Sequence, residues 1–174
     1  MDNVSNDAQN ITKESGLSLK QRVVTYTDTQ ENRFAIRLYE LIHKYCKLNC
    51  DFTNDEFCCV DYKIISKQDP TNVMYLELKS RHPKFATVNS FLIGHNKMIK
   101  IHQNNYSKCI LVWDFNVDLF YTVYNKKLIN YKQKFLQSSS CIDINKSECS
   151  RGINNLVKEI YKMLKIDTEN TEIL

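Results

Sequence analysis

Two acidic residues and a lysine lie on neighbouring segments with a spacing that suits phosphodiester chemistry. Glu77 and Lys79 are two residues apart in the run VMYLELKS (73–80), and Asp61 lies in the preceding apolar run FCCVDYKII (57–65). Side chains two residues apart on a β-strand point to the same face, so we expect Glu77 and Lys79 to lie side by side. An acid in so apolar a strand is unfavourable unless it is paired or binds a cation, which favours a functional role for Asp61.

The segment SKQDPTN (66–72) between the two runs has the composition of a hairpin turn, and antiparallel pairing across it can bring Asp61 close to Glu77. Two carboxylates and the carbonyl of Leu78 would form a hard oxygen site of the kind that Mg²⁺ or Mn²⁺ prefers. In phosphodiester hydrolysis, such a metal activates a water and neutralises charge on the scissile phosphate. A nearby ammonium such as Lys79 orients the water or stabilises the transition state.

The elements that must position these residues follow from changes in the hydrophobic period. A helix is predicted from about residue 30 to 46, with its charged residues Arg33, Arg37, Glu40 and Lys44 on a solvated face. The buried stripe of this helix recurs at three- and four-residue steps and consists of Phe34, Leu38, Leu41, Ile42 and Tyr45.

Alternating runs then predict strands at 48–52, 57–65 and 73–80, and a second helix is predicted at 90–103. The nearly continuous apolar run 109–115 is typical of a strand buried on both faces, with 119–124 pairing back, and a last helix is predicted at 151–165. Between residue 127 and this last helix the hydrophobic pattern is less regular.

This order predicts one α/β (α+β) domain, a mixed central sheet flanked by helices, over residues 27–165. A flexible N-terminal arm (1–26) precedes the domain, and a frayed acidic tail (166–174) follows it.

Asp61 followed by Glu77-Leu78-Lys79 resembles the D…(D/E)xK core of the PD-(D/E)xK nuclease superfamily. The hexapeptide ELKSRH (77–82) resembles the equivalent strand of archaeal Holliday junction resolvases and related viral and phage nucleases. The resemblance covers roughly residues 30–125, and it departs from the superfamily pattern at Val60, where a proline would stand.

The resemblance implies a restriction-endonuclease-like αβββαβ core and a Mg²⁺- or Mn²⁺-dependent endodeoxyribonuclease. Its partner would be DNA, in viral or phage-type repair, recombination or processing, and a homodimer is compatible with it. Asp61, Glu77 and Leu78 would then hold the metal, and Lys79 would act in catalysis.

The superfamily also has an acid on the first helix. Glu31 borders the buried stripe, whereas Glu40 lies among basic residues where surface ion pairs are the simpler explanation, so Glu31 is preferred. In similar nucleases the second helix packs near the site, which makes Lys97 a candidate substrate contact, together with His95 and Arg81. A solvated Lys97 on an amphipathic helix is an equally good interpretation.

The composition and the absence of other known motifs limit the function and location that the protein can have. A net charge of +4 permits a phosphate-rich partner without requiring one. The polar N-terminus and the lack of a long apolar run favour an intracellular protein, and the odd number of cysteines, seven, agrees with a reducing compartment. With the resemblance to viral nucleases, the expected location is the cytoplasm or nucleus of a host cell, or the virion. The spacing of His43, Cys46, Cys50 and Cys58–Cys59 does not match a paired zinc motif. No apolar run is long enough for a membrane span, and neither a GxSxG elbow nor a glycine-rich phosphate loop is present.

An alternative of a different class is a non-catalytic nucleic-acid-binding or viral structural module that keeps the nuclease fold. The joint presence of Asp61, Glu77 and Lys79 argues against it, because a module without activity has no reason to keep all three.

Overall fold

A computed structural model of the chain describes residues 30–45, 50–53, 60–81, 83–116, 118–131, 133–136 and 139–166. The predicted N-terminal arm, and the predicted tail except for its first residue, lie outside these ranges. In the described ranges no helix is both long enough and apolar enough to cross a membrane.

The described part of the chain contains three α-helices, nine β-strands and three short 3-10 helices, which are Pro83–Thr87, Lys126–Asn130 and Lys146–Glu148. The helices are α1 (Gln30–Tyr45), α2 (His95–Gln103) and α3 (Ile153–Met163). The strands are β1 (Cys50–Thr53), β2 (Tyr62–Ser66), β3 (Val73–Ser80), β4 (Ser90–Gly94), β5 (Cys109–Asp114), β6 (Leu119–Val123), β7 (Gln133–Leu136), β8 (Ser139–Asn145) and β9 (Ser150–Arg151).

The strands form two sheets, and the fold is α+β. The larger sheet is mixed and has six strands in the order β1-β2-β3-β5-β6-β9. In it β1, β2 and β3 are successive antiparallel neighbours, whereas β5 runs parallel to β3 after a connection that contains β4 and α2. The smaller sheet is antiparallel, in the order β4-β8-β7.

The alternation of side chains along β3 divides the core into two layers. Met74, Leu76 and Leu78 are fully buried on one face, where they pack in one cluster with residues of α1 and α3. The other face of the sheet, which includes Leu111 of β5, packs against α2 and the smaller sheet. The period-two pattern of β3 accounts for the first layer, and the second layer comes from β5, whose residues are all buried.

The hydrophobic patterns predicted several elements well. The first helix, the strand at 73–80 and the last helix occupy nearly the expected ranges. All six residues of β5 are buried, as expected for a strand covered on both faces. The predicted hairpin is also present, with a hydrogen bond from the Ser66 amide to the Asn72 carbonyl at its base.

Two local predictions were wrong. The second helix begins at His95 rather than at residue 90, because Ser90–Gly94 is a strand that buries Phe91 and Ile93 and pairs with β8. β2 begins at Tyr62, so Asp61 lies in a bend just before the strand and not in its middle. The segment after residue 127, where the sequence predicted no element, contains β7 and β8, and β8 also pairs with β4, which is far away in sequence.

Leu76 is a direct test of the apolar layer that supports β3. Leu76→Ala removes a fully buried side chain and should lower the free energy of unfolding by about 2–5 kcal/mol. Lys158→Ala, at an exposed position on α3, should change it by less than about 0.5 kcal/mol. Urea unfolding of both variants checks this, and equal small effects would contradict the assigned packing.

Candidate active site

Glu77 lies on the face of β3 opposite to the aliphatic layer, between neighbouring strands on both sides. It pairs in register with Leu111 of β5, and its exposed fraction is 0%. A carboxylate buried to this extent is unfavourable unless cations or donors lie against it, because it has lost its hydration.

Two lysines provide those cations. The Lys79 Nζ lies 2.6 Å from Glu77 Oε1, and the Lys97 Nζ lies 3.0 Å from Glu77 Oε2. The two-residue strand spacing brings Lys79 there, and Lys97 reaches the same carboxylate as the third residue of α2. The lysine side chains are 25% and 29% exposed, so the ammonium groups connect the buried carboxylate to solvent.

The contacts between the lysines and Glu77 are short, and hydrogen bonding from Lys79 is among the effects that lower the pKa of Glu77. Among the described residues, no group other than these lysines donates a hydrogen bond to either oxygen of Glu77. Each carboxylate oxygen has more than one lone pair, so an oxygen that contacts an ammonium can also bind a hard cation.

Asp61 approaches the same place from the bend before β2. Its Oδ2 accepts a hydrogen bond of 2.7 Å from the Leu78 amide, which fixes the carboxylate against β3. Tyr62 pairs with Leu76, so continuing the antiparallel register by one step puts Asp61 opposite Glu77. The Leu78 carbonyl points to the same side of β3 as its amide, because both groups of a strand residue face the same neighbour.

The pKa of the Glu77 carboxyl is raised above its ordinary value of 4.5. Burial is the largest cause, and the negative charge of Asp61 adds to it, whereas the positive charges of Lys79 and Lys97 act in the opposite direction. The opposing effects of the acid and the lysines place all four groups within one electrostatic cluster.

The residues fit a small hard cation through few protein ligands. Among the described residues there is no group of three or more His, Cys, Asp and Glu side chains that could hold a metal. Mg²⁺ commonly binds through one or two carboxylates and takes its remaining ligands from water and substrate phosphates. Asp61, Glu77 and the Leu78 carbonyl meet that requirement, and the observation that supports it is that, among the described residues, Glu77 has no hydrogen-bond donor other than the two lysines.

Of the other predicted site residues whose side chains the structure describes, only Lys97 forms an ion pair or hydrogen bond with Glu77. The side chain of Glu31 lies outside the described residues, and Glu40 is exposed on α1. The Nε2 of His95 lies 3.4 Å from the Gln133 side chain, a contact with the smaller sheet rather than with Glu77. Arg81 is exposed where the chain leaves β3, and its guanidinium donates to the Ser80 carbonyl at 2.9 Å.

One ion pair near the end of β5 was not predicted. Arg37, which the helical pattern placed on a solvated face, lies 3.1 Å from Asp114, whose side chain is only 7% exposed. The same Asp114 oxygen accepts from the Asn116 amide, so the acid also caps the turn after β5, as an Asp at a strand end often does. The pair links α1 to the sheet.

Comparisons of the chain with protein-family models, with curated proteins and with solved structures found no match. The function is therefore inferred from the geometry of these residues.

The raised pKa of Glu77 predicts a pH-dependent stability in the metal-free protein. The folded state holds this proton more tightly than the unfolded chain, so the stabilisation from Glu77 is complete below pH 4.5 and is lost as the pH rises through the raised pKa. Glu77→Gln has no group that titrates at this position. As the pH rises from 4.5 through the raised pKa, the free energy of unfolding of the wild type should therefore fall relative to that of Glu77→Gln. The check is urea unfolding across pH in the presence of EDTA, with the partly exposed Glu159→Gln as the matched control. Parallel pH profiles for Glu77→Gln and the wild type would contradict the assignment.

Proposed function

We propose that the protein is a Mg²⁺- or Mn²⁺-dependent endodeoxyribonuclease of the PD-(D/E)xK type. The observation that carries this proposal is the fully buried Glu77 carboxylate, which has an ammonium group at each oxygen and Asp61 beside it. Such a cluster combines acidic metal ligands with cations that can face a phosphate, which are the two components that phosphodiester hydrolysis needs.

The topology supports the same proposal. The elements α1, β1, β2, β3, α2 and β5 follow one another in the αβββαβ order that the resemblance implies, with β4 as an addition before α2. Three successive parts of that order supply the cluster. Asp61 lies just before β2, Glu77 and Lys79 lie on β3, and Lys97 lies on α2. A restriction-endonuclease-like core is accordingly part of the proposal.

In the proposed mechanism Asp61, Glu77 and the Leu78 carbonyl would hold the metal. When bound, the metal would supply positive charge to the scissile phosphate and lower the pKa of a water. Lys79, held beside Glu77, orients the attacking water and stabilises negative charge on the phosphate in the transition state. The attacking water loses a proton to solvent as its oxygen forms a new bond to phosphorus, the bond to the leaving oxygen breaks, and that oxygen takes up a proton from solvent.

Lys97 has a separate role in this proposal. Before substrate binds, the Lys97 ammonium neutralises the second oxygen of Glu77. Because the Lys97 side chain is partly exposed, its ammonium can move from Glu77 to a phosphate oxygen of the substrate. This exchange would free Glu77 Oε2 for the cation at the moment the substrate binds.

Substitution of the acids tests the proposal. Glu77→Gln and Asp61→Asn should each abolish Mg²⁺-dependent cleavage of branched, linear and single-stranded DNA, because each removes a charged ligand. Glu159→Gln, on the helix that packs against the other face of the sheet, should cleave like the wild type. Circular dichroism confirms that the variants are folded, and wild-type cleavage by either acid variant would refute the site.

Lys79→Met separates catalysis from binding. The change should lower the cleavage rate by orders of magnitude and leave DNA affinity nearly unchanged, because one phosphate contact contributes little to total affinity. Single-turnover kinetics and equilibrium binding on the same DNA measure both quantities. Loss of affinity with an unchanged rate would contradict the role assigned to Lys79.

A second candidate is a non-catalytic nucleic-acid-binding or viral structural module. One observation favours it: both oxygens of Glu77 already lie against lysines, so the cluster can persist as a structural ion network without a metal. A wild-type protein that binds DNA but shows no turnover with Mg²⁺ or Mn²⁺ on any of these substrates would support the module and exclude the nuclease.

A further inference from the structure

A cavity of about 420 Å³ opens at the end of β3, close to the candidate active site. Its floor contains the buried rings of Phe91, Trp113 and Phe115, and its rim contains Phe85 and Val88, which are 46% and 40% exposed. The volume is within the usual range for small-molecule sites. The cavity therefore has aromatic walls and an apolar mouth. This combination suits the binding of a flat apolar group.

The position of the cavity connects it to the lysine of the candidate site. Trp113 on its floor is the register partner of Lys79, on the adjacent parallel strand. The backbones of neighbouring strands are about 4.8 Å apart, so the backbone of one lining residue lies that far from the backbone of Lys79. Arg81, which lines the cavity, follows Lys79 by two residues along the chain.

The charge around the cavity is positive. None of its lining residues is acidic, and Arg81 contributes an exposed guanidinium at its edge. Lys84 adds an ammonium that lies 5.0 Å from the centre of the Phe85 ring. An occupant with an aromatic ring and an adjoining negative charge matches this surface, and a nucleotide has both.

We propose that this cavity binds an unpaired nucleobase adjacent to the scissile phosphate. The inference rests on the proposed nuclease function and specifies its substrate: DNA with an unpaired or extruded base at the cleavage position. Phe85 stacks on the base, the buried rings receive its edge, and Arg81 contacts the neighbouring phosphate. The cost of unpairing is lowest where the base is already unpaired, which makes such DNA the preferred substrate.

The test uses the full chain and two DNA duplexes that differ at one position. In one duplex a 2-aminopurine, whose fluorescence is quenched by stacking, is an unpaired bulge; in the other it is paired with thymine. Binding is measured in EDTA, where no cleavage occurs, and cleavage is then measured with Mg²⁺. The variants are Phe85→Ala, Phe85→Trp, Arg81→Ala and the distant, exposed Lys158→Ala as control.

The wild type should bind the bulged duplex more tightly and quench its fluorescence. Phe85→Ala should weaken that binding by about five- to 150-fold, the loss expected for one base stacked on an aromatic ring, and Phe85→Trp should retain it. Arg81→Ala should weaken binding to both duplexes with a smaller salt dependence, and Lys158→Ala should behave like the wild type. Thermal melting confirms that the Phe85 variants are folded.

Three outcomes would overturn the inference in distinguishable ways. The base site would be excluded if the wild type bound both duplexes equally, or if Phe85→Ala kept the wild-type preference for the bulged duplex. Mg²⁺-dependent cleavage in the same experiment would still support the proposed nuclease function. A Phe85-dependent preference without cleavage in any divalent metal would exclude the nuclease and the placement beside a scissile phosphate. Binding to neither duplex, with no cleavage, would exclude both proposals.

Discussion

A carboxylate without access to water is unfavourable inside a sheet unless positive charge lies against it, and Glu77 depends on Lys79 and Lys97 to meet that condition. Its side chain is fully buried on the face of the sheet that packs against α2 and the smaller sheet. Removal of one lysine would leave the two acids with a single ammonium group and a net charge of −1. The packing of α2 against the sheet is therefore coupled to the charge on Glu77, because α2 supplies one of the two ammonium groups.

The same electrostatic cluster links stability to the proposed chemistry. Burial and then the repulsion from Asp61 raise the pKa of Glu77, and the two lysines act in the opposite direction. The four groups together are formally neutral. A divalent cation bound between the acids would relieve their repulsion and release a lysine to contact a phosphate. Such a cluster is preorganised for a polyanion, since its cations are already held in place by the acids that would bind the proposed metal.

The sequence predicted those parts of the molecule that depend on local periodicity. Glu77 and Lys79 share a face because the period of a strand is two residues, and β5 was recognisable because it is apolar throughout. The strand β4 was assigned to a helix because its apolar residues run directly into those of α2, and its pairing with β8 depends on residues about fifty positions away. The contact between Lys97 and Glu77 and the pair of Arg37 with Asp114 arise from tertiary packing, which a pattern along one segment does not contain.

The central claim, that Glu77 and Asp61 form a cation site, is tested most directly by locating the cation. Crystals of the protein soaked in Mn²⁺ can be measured at a wavelength where manganese gives an anomalous signal. The account predicts an anomalous peak within about 2.0–2.4 Å of oxygens from Glu77 and Asp61, with the Lys97 ammonium displaced from Glu77, and no peak in Glu77→Gln crystals. A wild-type map without a peak at this place, in which both lysines remain against Glu77, would contradict it.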